Sequence, residues 1–447
     1  MPSLGSLGDR VRSLRLSRRL SQAQLAGPGL SDSYISLIES GKRTPTTVVA
    51  RLLAERLGCT TEYLLHGVEP RQRIDAELGL RHAELELFNG NPATAEERFA
   101  EIVKTSADDS AAITALAKLG HARALERRGR IGEAVQEYEQ LRREAVDHPE
   151  RLAELPIVIA LCRCYRRAGD LMRARELGTA ALAQMERLEL VYGQDAVDLG
   201  VALIAVASDL GEHSVPFAER VLAATPNVHG VAVDVKIGRL WNASLQAAES
   251  EDPALAVRLA DEALSAGAYS RVTEGLAQIA LGLGELALRA EPAVVDRVPA
   301  FIRTAQRAFT RPADKARCLI VLARVEVARS ESAQAVSLAN EAIALLNGSE
   351  RVETVSAHIV LGLAHLVGAG PDKAAARSEL TSAAQLLNQV PPSREAAKAW
   401  RELGDLFGQT GNHEAMVAAY RSALRSIGLR PSSPEISTAP TQAVPTG

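Results

Sequence analysis

LSQAQLAGPGLSDSYISLIESGKRTP, residues 20–45, decides the reading of this chain. Ser21 can cap a short helix, because its hydroxyl accepts an otherwise orphaned backbone N–H, and Gln24 three residues on completes a capping box. Gly27-Pro28-Gly29 stops that helix and forces a tight turn. Ser31 can cap a second helix, which Gly41 ends by supplying the left-handed residue that such stops favour. Around this pair, Leu14, Leu20, Leu25, Ile35, Ile38, Leu52 and Leu57 recur at helical spacing and form a small apolar core.

Two short helices joined by a Gly-containing turn make a helix-turn-helix, whose second helix lies in the major groove. Residues 4–66 resemble the XRE (Cro/C1-repressor-type) helix-turn-helix family, a five-helix module. Leu20-Ser21-Gln22, Ala26, Ser31 and Glu39-Ser40-Gly41-Lys42-Arg43-Thr44-Pro45 stand at the family's fixed offsets, with a turn one residue shorter than usual. The resemblance implies that Gln22 binds a phosphate and braces the recognition helix. It further implies that Asp32, Ser33 and Ser36 face base edges, that Tyr34 lies beside them near the backbone, and that Lys42 and Arg43 contact phosphates. Arg15 and Glu39 match the family's ion pair between its first and third helices. Lys and Arg give salt-dependent, sequence-blind attraction, whereas an Asp accepts from a cytosine amino group or serves the positive end of its own helix. The recognition helix has no Arg, Asn or Gln, so modest base reading is expected, helped by DNA shape or dimerisation.

At 447 residues the chain exceeds one typical domain, and its 3% aromatics with abundant Ala and Leu favour close-packed helices over sheets. The net charge of −4 hides an asymmetry: residues 1–70 hold nine Lys/Arg and six Asp/Glu, the remainder 42 and 49. The mild basic bias therefore lies with the DNA-reading module. Cys59, Cys162, Cys164 and Cys318 have no ligand-like spacing, so buried apolar thiols are expected, without metal, cofactor or disulfide. No apolar run approaches membrane-spanning length and no signal-peptide core is seen, which implies a cytoplasmic protein with no membrane partner.

After a linker at 67–73, residues 74–428 repeat one template. A small residue on a first helix is followed 12, 16 and 19 positions later by residues of a second helix. Ala83 leads to Ala95, Phe99 and Ile102; Ala122 to Ala134, Tyr138 and Leu141; Cys162 to Ala174, Gly178 and Ala181; Ser244 to Ala256, Ala260 and Ala263. Ala323, Ala364 and Gly404 begin three more. Neighbouring repeats are 39–41 residues apart, and the two gaps of 82 and 79 each have room for one degenerate hairpin, giving about nine. Each hairpin buries its apolar face by stacking on its neighbours, so an all-α solenoid is expected. Residues 429–447, rich in Pro, Ser and Thr, are expected to be disordered.

The last repeat, Trp400-x-x-Leu403-Gly404-x-x-Phe407 with Gly411-Asn412 and Tyr420, resembles a tetratricopeptide repeat (TPR), and the others are TPR-like. That resemblance implies a concave face lined by first helices, carrying Arg123, Arg163, Arg324 and His365, with Arg166 on the next turn and Asn242 beside Trp241. Arginine forks there suit an extended peptide or acidic ligand; the other reading is that these arginines are solvated or paired on the surface. His358 and His365 lie too far apart to share a metal without a third ligand.

An XRE-type reader joined to a TPR-like solenoid resembles the RRNPP family of peptide-pheromone receptors, with more and longer repeats. This implies a quorum-sensing transcription regulator: a homodimer that binds double-stranded DNA and answers to a peptide or small-molecule effector. The alternative is a DNA-tethered scaffold that recruits a protein and senses nothing. An enzyme, such as a TPR-type phosphatase, finds no catalytic residues: there is no Walker A loop, G-x-S-x-G or H-E-x-x-H.

Overall fold

The structure, a computed structural model, describes residues 6–66, 70–105, 111–225, 233–250, 252–289, 292–347, 351–367 and 370–429. The expected tail, Leu429 apart, lies outside them, as does the start of the expected linker. Among the described residues the secondary structure is helical throughout, in two compact units, 1–279 and 280–447.

The first unit opens with the expected five helices: α1 (Leu7–Ser17), α2 (Gln22–Ala26), α3 (Asp32–Glu39), α4 (Thr47–Leu57) and α5 (Thr61–His66). Val11, Leu25, Ile35, Ile38, Leu53, Leu57 and Leu64 form their core. Leu53, not Leu52, is fully buried, because α4 starts at Thr47 and turns its 50/53/54/57 face inward. Cys59 is half-buried beside this core. Pro70–Arg73, expected in the linker, belong to α6 (Pro70–Phe88). Proline suits a helix start because the N–H it lacks would have no intrahelical partner.

Hairpins follow: α6 with α7 (Pro92–Thr105), α8 (Ala111–Arg127) with α9 (Ile131–Asp147), α10 (Glu154–Ala168) with α11 (Leu171–Arg187), and α12 (Gln194–Leu210) with α13 (Pro216–Ala224). The α12–α13 pair fills the first gap in the repeat pattern. The fifth hairpin is α14 (Asp234–Glu249) with the front of α15, a 35-residue helix spanning Pro253–Ala287. The template positions are the contacts. Ala83, Ala95 and Phe99 are fully buried, as are Ala122, Ala134 and Tyr138. A Cβ on Gly120 would fall 2.3 Å from the Phe99 ring, so only a bare backbone fits there. Cys162 and Ser244, at equivalent positions, each donate to the carbonyl twelve residues on: Sγ to Ala174 O at 3.1 Å, Oγ to Ala256 O at 2.7 Å. Burial pushes the Cys162 thiol up to about 11 and Cys164 up to about 12, so both stay protonated packing groups.

The fifth hairpin packs against the first. Leu78 and Leu85 of α6 share a core with Val233, Ile237, Ala247, Ala256, Ala260 and Ala263. His82 Nε2 meets Ser244 Oγ at 3.0 Å, and Arg81 Nε donates to Asp261 Oδ1 at 2.5 Å. Simple sequential stacking does not foresee this closure. From there α15 runs on to α12: a Cβ on Gly267 would lie 3.1 Å from Phe88 of α6, and one on Gly275 2.3 Å from Val197 of α12. Eight helical residues span about 12 Å, so α15 bridges the first helices of the first and fourth hairpins.

The second unit takes up the rest of α15, which pairs with α16 (Val298–Ala308) in the second gap. Three regular hairpins follow: α17 (Pro312–Ala328) with α18 (Ser332–Leu346), α19 (Arg351–Leu366) with α20 (Lys373–Leu387), and α21 (Arg394–Gln409) with α22 (His413–Ser426). Ala323, Ala335, Ala339 and Ala342 are fully buried, as are Ala364, Ala376, Leu380 and Ala383. On α22 the corresponding Met416, Tyr420 and Ala423 are half-buried, for no described helix follows to cover them. Cys318 is buried, its thiol pushed up to about 12. No described helix is long and apolar enough to cross a membrane.

Candidate functional site

The helix pair is locked by its own side chains. Ser21 and Gln24 form the capping box in both directions, at 2.7 and 3.1 Å, and Ser31 Oγ accepts the Tyr34 N–H at 3.1 Å. Gly41 has φ +70° just past the end of α3. Arg56 of α4 grips the turn from outside, donating to the carbonyls of Leu25, Ala26 and Pro28. It satisfies the open C-terminus of α2 and was not singled out by sequence, because a lone basic residue one helix away carries no spacing signal. Arg15 and Glu39 pair bidentately at 2.6 and 2.9 Å, both buried, and Gln22 Nε2 adds a third bond to Glu39 at 2.8 Å. Burial raises the Glu39 carboxyl, but the bonds from Arg15 and Gln22 more than offset it and hold it below the usual carboxylate range. Gln22 thus ties α2 to α3 through Glu39.

Ser33, Ser36 and Leu37 of α3 and Ser40, which caps it, stand at i, i+3, i+4 and i+7, and all four are exposed. That is one helix face, free of core contacts. Sequence reasoning passed over Leu37, an exposed apolar group whose signal was its place between Ser36 and Ile38, and which can meet a thymine methyl. Asp32 is exposed in the first turn of α3 and accepts the Ser33 N–H at 2.8 Å, so one carboxylate oxygen serves the helix end. Lys42 and Arg43 are exposed, their N–H groups bound to Leu37 O. The Arg43 guanidinium lies 5.1 Å from the Tyr34 ring centroid, which holds its charge against the open face of α3.

The expected ligand residues divide. Arg163 of α10 donates to both oxygens of Glu126 of α8 at 3.1 and 3.2 Å. Burial works against both charges, yet their pairing holds Glu126 below the usual carboxylate range and Arg163 above its own. Arg166 reaches Asp209 of α12 at 2.9 Å, and in the second unit Arg324 of α17 holds Glu402 of α21 at 2.6 and 3.1 Å. These three stitch hairpin to hairpin, so a ligand reaching them competes with a built ion pair. Trp241 packs beside the core shared by α6 and α14, with its indole N–H buried and lacking an acceptor among the described residues. Asn242 is exposed, and His365 is half-buried. His358 Nδ1 meets Glu379 at 2.7 Å instead of joining His365. Arg123 is exposed on α8 and, among the described residues, makes no hydrogen bond or close ion pair.

A separate pocket of about 300 Å³ lies between α7, α8 and α9, floored by Ala100, Val103 and Leu141 and rimmed by the Lys118–Glu144 and His121–Glu137 pairs. Among the described residues no group of three or more His, Cys, Asp or Glu could hold a metal ion.

Residues 11–64 match the helix-turn-helix family model. No curated relative matches the chain. Among solved structures, the chain is similar to Bacillus thuringiensis PlcR in complex with the peptide PapR7 and DNA, at 15% identity over 67% of this chain and 93% of that one, with a TM-score of 0.32. It is similar to the apo form of RapI at 13% identity over 89% and 96%, TM-score 0.47. It is similar also to S. thermophilus ComR in complex with DNA and its signalling peptide ComS, at 15% over 79% and 97%, TM-score 0.26. At these identities and TM-scores the likenesses bear no functional weight.

Proposed function

We propose that this chain, whose N-terminal domain is an XRE-type helix-turn-helix, is a DNA-binding transcription regulator whose helical-hairpin array senses a small ligand and alters DNA binding. The observation that carries the reading is the pairing of two surfaces in one chain. One is an open face on α3, flanked by Lys42 and Arg43 and rigidly braced through Glu39. The other is the row of first helices in the array, where Arg163 of α10 holds Glu126 of α8 and Arg123 stands exposed. Lys42, Arg43 and Gln22 supply the phosphate contacts; Asp32, Ser33, Ser36 and Leu37 read base edges, and Tyr34 orients Arg43. The sparse hydrogen-bonding capacity of α3 makes a single reader weak, which favours two acting together on half-sites 34–36 Å apart or a multiple of that spacing.

A second copy is proposed to supply the second reader. The last described helix, α22, and its cap leave Val417, Leu424 and Ile427 exposed along one stripe beside half-buried Tyr420, and pairing two such stripes removes them from water. Ligand binding then acts by favouring one of two array conformations, which changes the separation of the readers. The test is selection of genomic fragments by the full-length protein, followed by anisotropy titration of the winning site with wild type and Arg43→Ala. A discrete site bound by wild type and weakened in the variant supports the reading. A protein that selects no site, or one whose affinity is indifferent to Arg43, does not regulate transcription this way.

A further inference from the structure

The second hairpin is left hollow at a place that other hairpins plug. Four residues before each small template residue, and again one before it, three first helices carry Val158 and Leu161, Val360 and Leu363, and Trp400 and Leu403, all buried or half-buried. At the same two positions before Ala122, α8 carries Lys118 and His121. An amine and an imidazole cannot end in an apolar core without partners. Their heads turn instead to carboxylates of α9: Lys118 Nζ meets Glu144 at 3.1 Å and His121 Nδ1 meets Glu137 at 2.8 Å. The space that apolar side chains fill elsewhere remains as the cavity of about 300 Å³ between α7, α8 and α9.

The lining defines an occupant. Ala100, Val103 and Lys104 stand at i, i+3 and i+4 on α7, and Glu137, Gln140, Leu141 and Glu144 at i, i+3, i+4 and i+7 on α9, so single faces of two helices converge on the space. At 3.6 residues per turn, Lys118 and His121 lie about 150° around α8 from Arg123, which puts the cavity on another face of that helix. Its floor is apolar, and its volume stands at the low end of small-molecule pockets, which run from about 300 to 1,000 Å³. At the rim both carboxylates are engaged, and Gln140 Nε2 adds a bond to Glu144 at 3.2 Å. Lys104 is exposed there and, among the described residues, makes no hydrogen bond or ion pair. One positive charge is therefore left unmatched at the mouth of an apolar hole.

We propose that this cavity binds a small carboxylic acid, its apolar body on Ala100, Val103 and Leu141 and its carboxylate on Lys104. The site stands apart from the regulatory reading, since it uses neither the first-helix arginines nor the DNA-reading helix. Its occupant bridges α7 and α9, the second helices of two successive hairpins.

Octanoate, octanamide and octylamine share one apolar body and differ in the head, and each is titrated calorimetrically into the full-length protein. The titrations run at about pH 6, where His121, its pKa raised by the Glu137 bond, carries its proton. Octanoate should saturate a single site and bind about tenfold or more tighter than octanamide, with octylamine weaker still. Lys104→Gln, a change on the exposed rim, should bring octanoate down to the octanamide level. Lys118→Val combined with His121→Leu installs an apolar plug like that of the other hairpins and should abolish binding of all three. Ala100→Leu fills the cavity from its floor and should do the same, which keeps the test intact if the double variant fails to fold. Octanoate and octanamide bound alike, or octylamine bound best, would overturn the assignment of an acid. No saturable octanoate binding, or binding that survives both Ala100→Leu and Lys104→Gln, would overturn the site itself.

Discussion

Glu39 illustrates how one residue joins fold to function. It receives Arg15 from α1 and Gln22 from α2, so the reading helix is oriented by three bonds to a single buried carboxylate. Removing one partner leaves a buried charge alone, and Arg15→Ala should cost about 3–5 kcal/mol in urea unfolding of the N-terminal domain. Because the folded Glu39 pKa is depressed, its contribution is complete above the unfolded value and is lost as pH falls through the folded one. The loss should vanish in Glu39→Gln. Gly8 is a second sensitive point: a Cβ there would stand 2.4 Å from the Ile38 carbonyl oxygen, backbone that has no rotamer to yield. Gly8→Ala should therefore destabilise by about 1–3 kcal/mol, measured the same way. On DNA, Lys42→Ala and Arg43→Ala should each lower the salt slope of binding by about one, whereas Ser36→Ala should change base preference with the slope intact.

Among the elements, α15 departs furthest from what the sequence conveys. Its two halves follow the hairpin template, Ala256, Ala260 and Ala263 at the front and a degenerate first helix behind, but nothing in the spacing says that no turn separates them. Nor does a local pattern reveal that α6 packs on α14, since His82 and Ser244 are 162 residues apart. The caps and the short turn were legible because they depend on neighbours within four residues; Leu53 and Arg56 were not, because their partners come from other helices. The ligand face was half legible for the same reason. Counting placed Arg163 and Arg324 on first helices, but the Glu126 and Glu402 that engage them lie 37 and 78 residues away. The α6–α14 junction is also pH-dependent. Ser244 Oγ donates to Ala256 O, so His82 must present a protonated Nε2 in the neutral ring, and burial with the Arg98 charge lowers its pKa to about 4. The folded state thus resists protonation, and stability is full above pH 6.5 and falls as pH drops toward 4. At pH 5 the loss should be about 2 kcal/mol, present in wild-type unfolding curves and absent in His82→Gln.

For the whole molecule, the reading requires two DNA readers and a ligand that changes their relation. If the exposed stripe of α22 joins two copies, Leu424→Glu should give a monomer by sedimentation and reduce operator affinity by more than tenfold, since the second half-site contact is lost. A Leu424→Glu protein that remains dimeric would place the interface elsewhere. The most direct measurement is the affinity of the selected DNA site for wild type and Arg123→Gln at one fixed salt concentration, with and without a low-mass extract of the producing culture. Ligand-gated binding predicts a change of about fivefold or more for wild type and none for Arg123→Gln. Equal affinity for wild type with and without extract would contradict it, and would leave a protein that binds DNA but senses nothing in that extract.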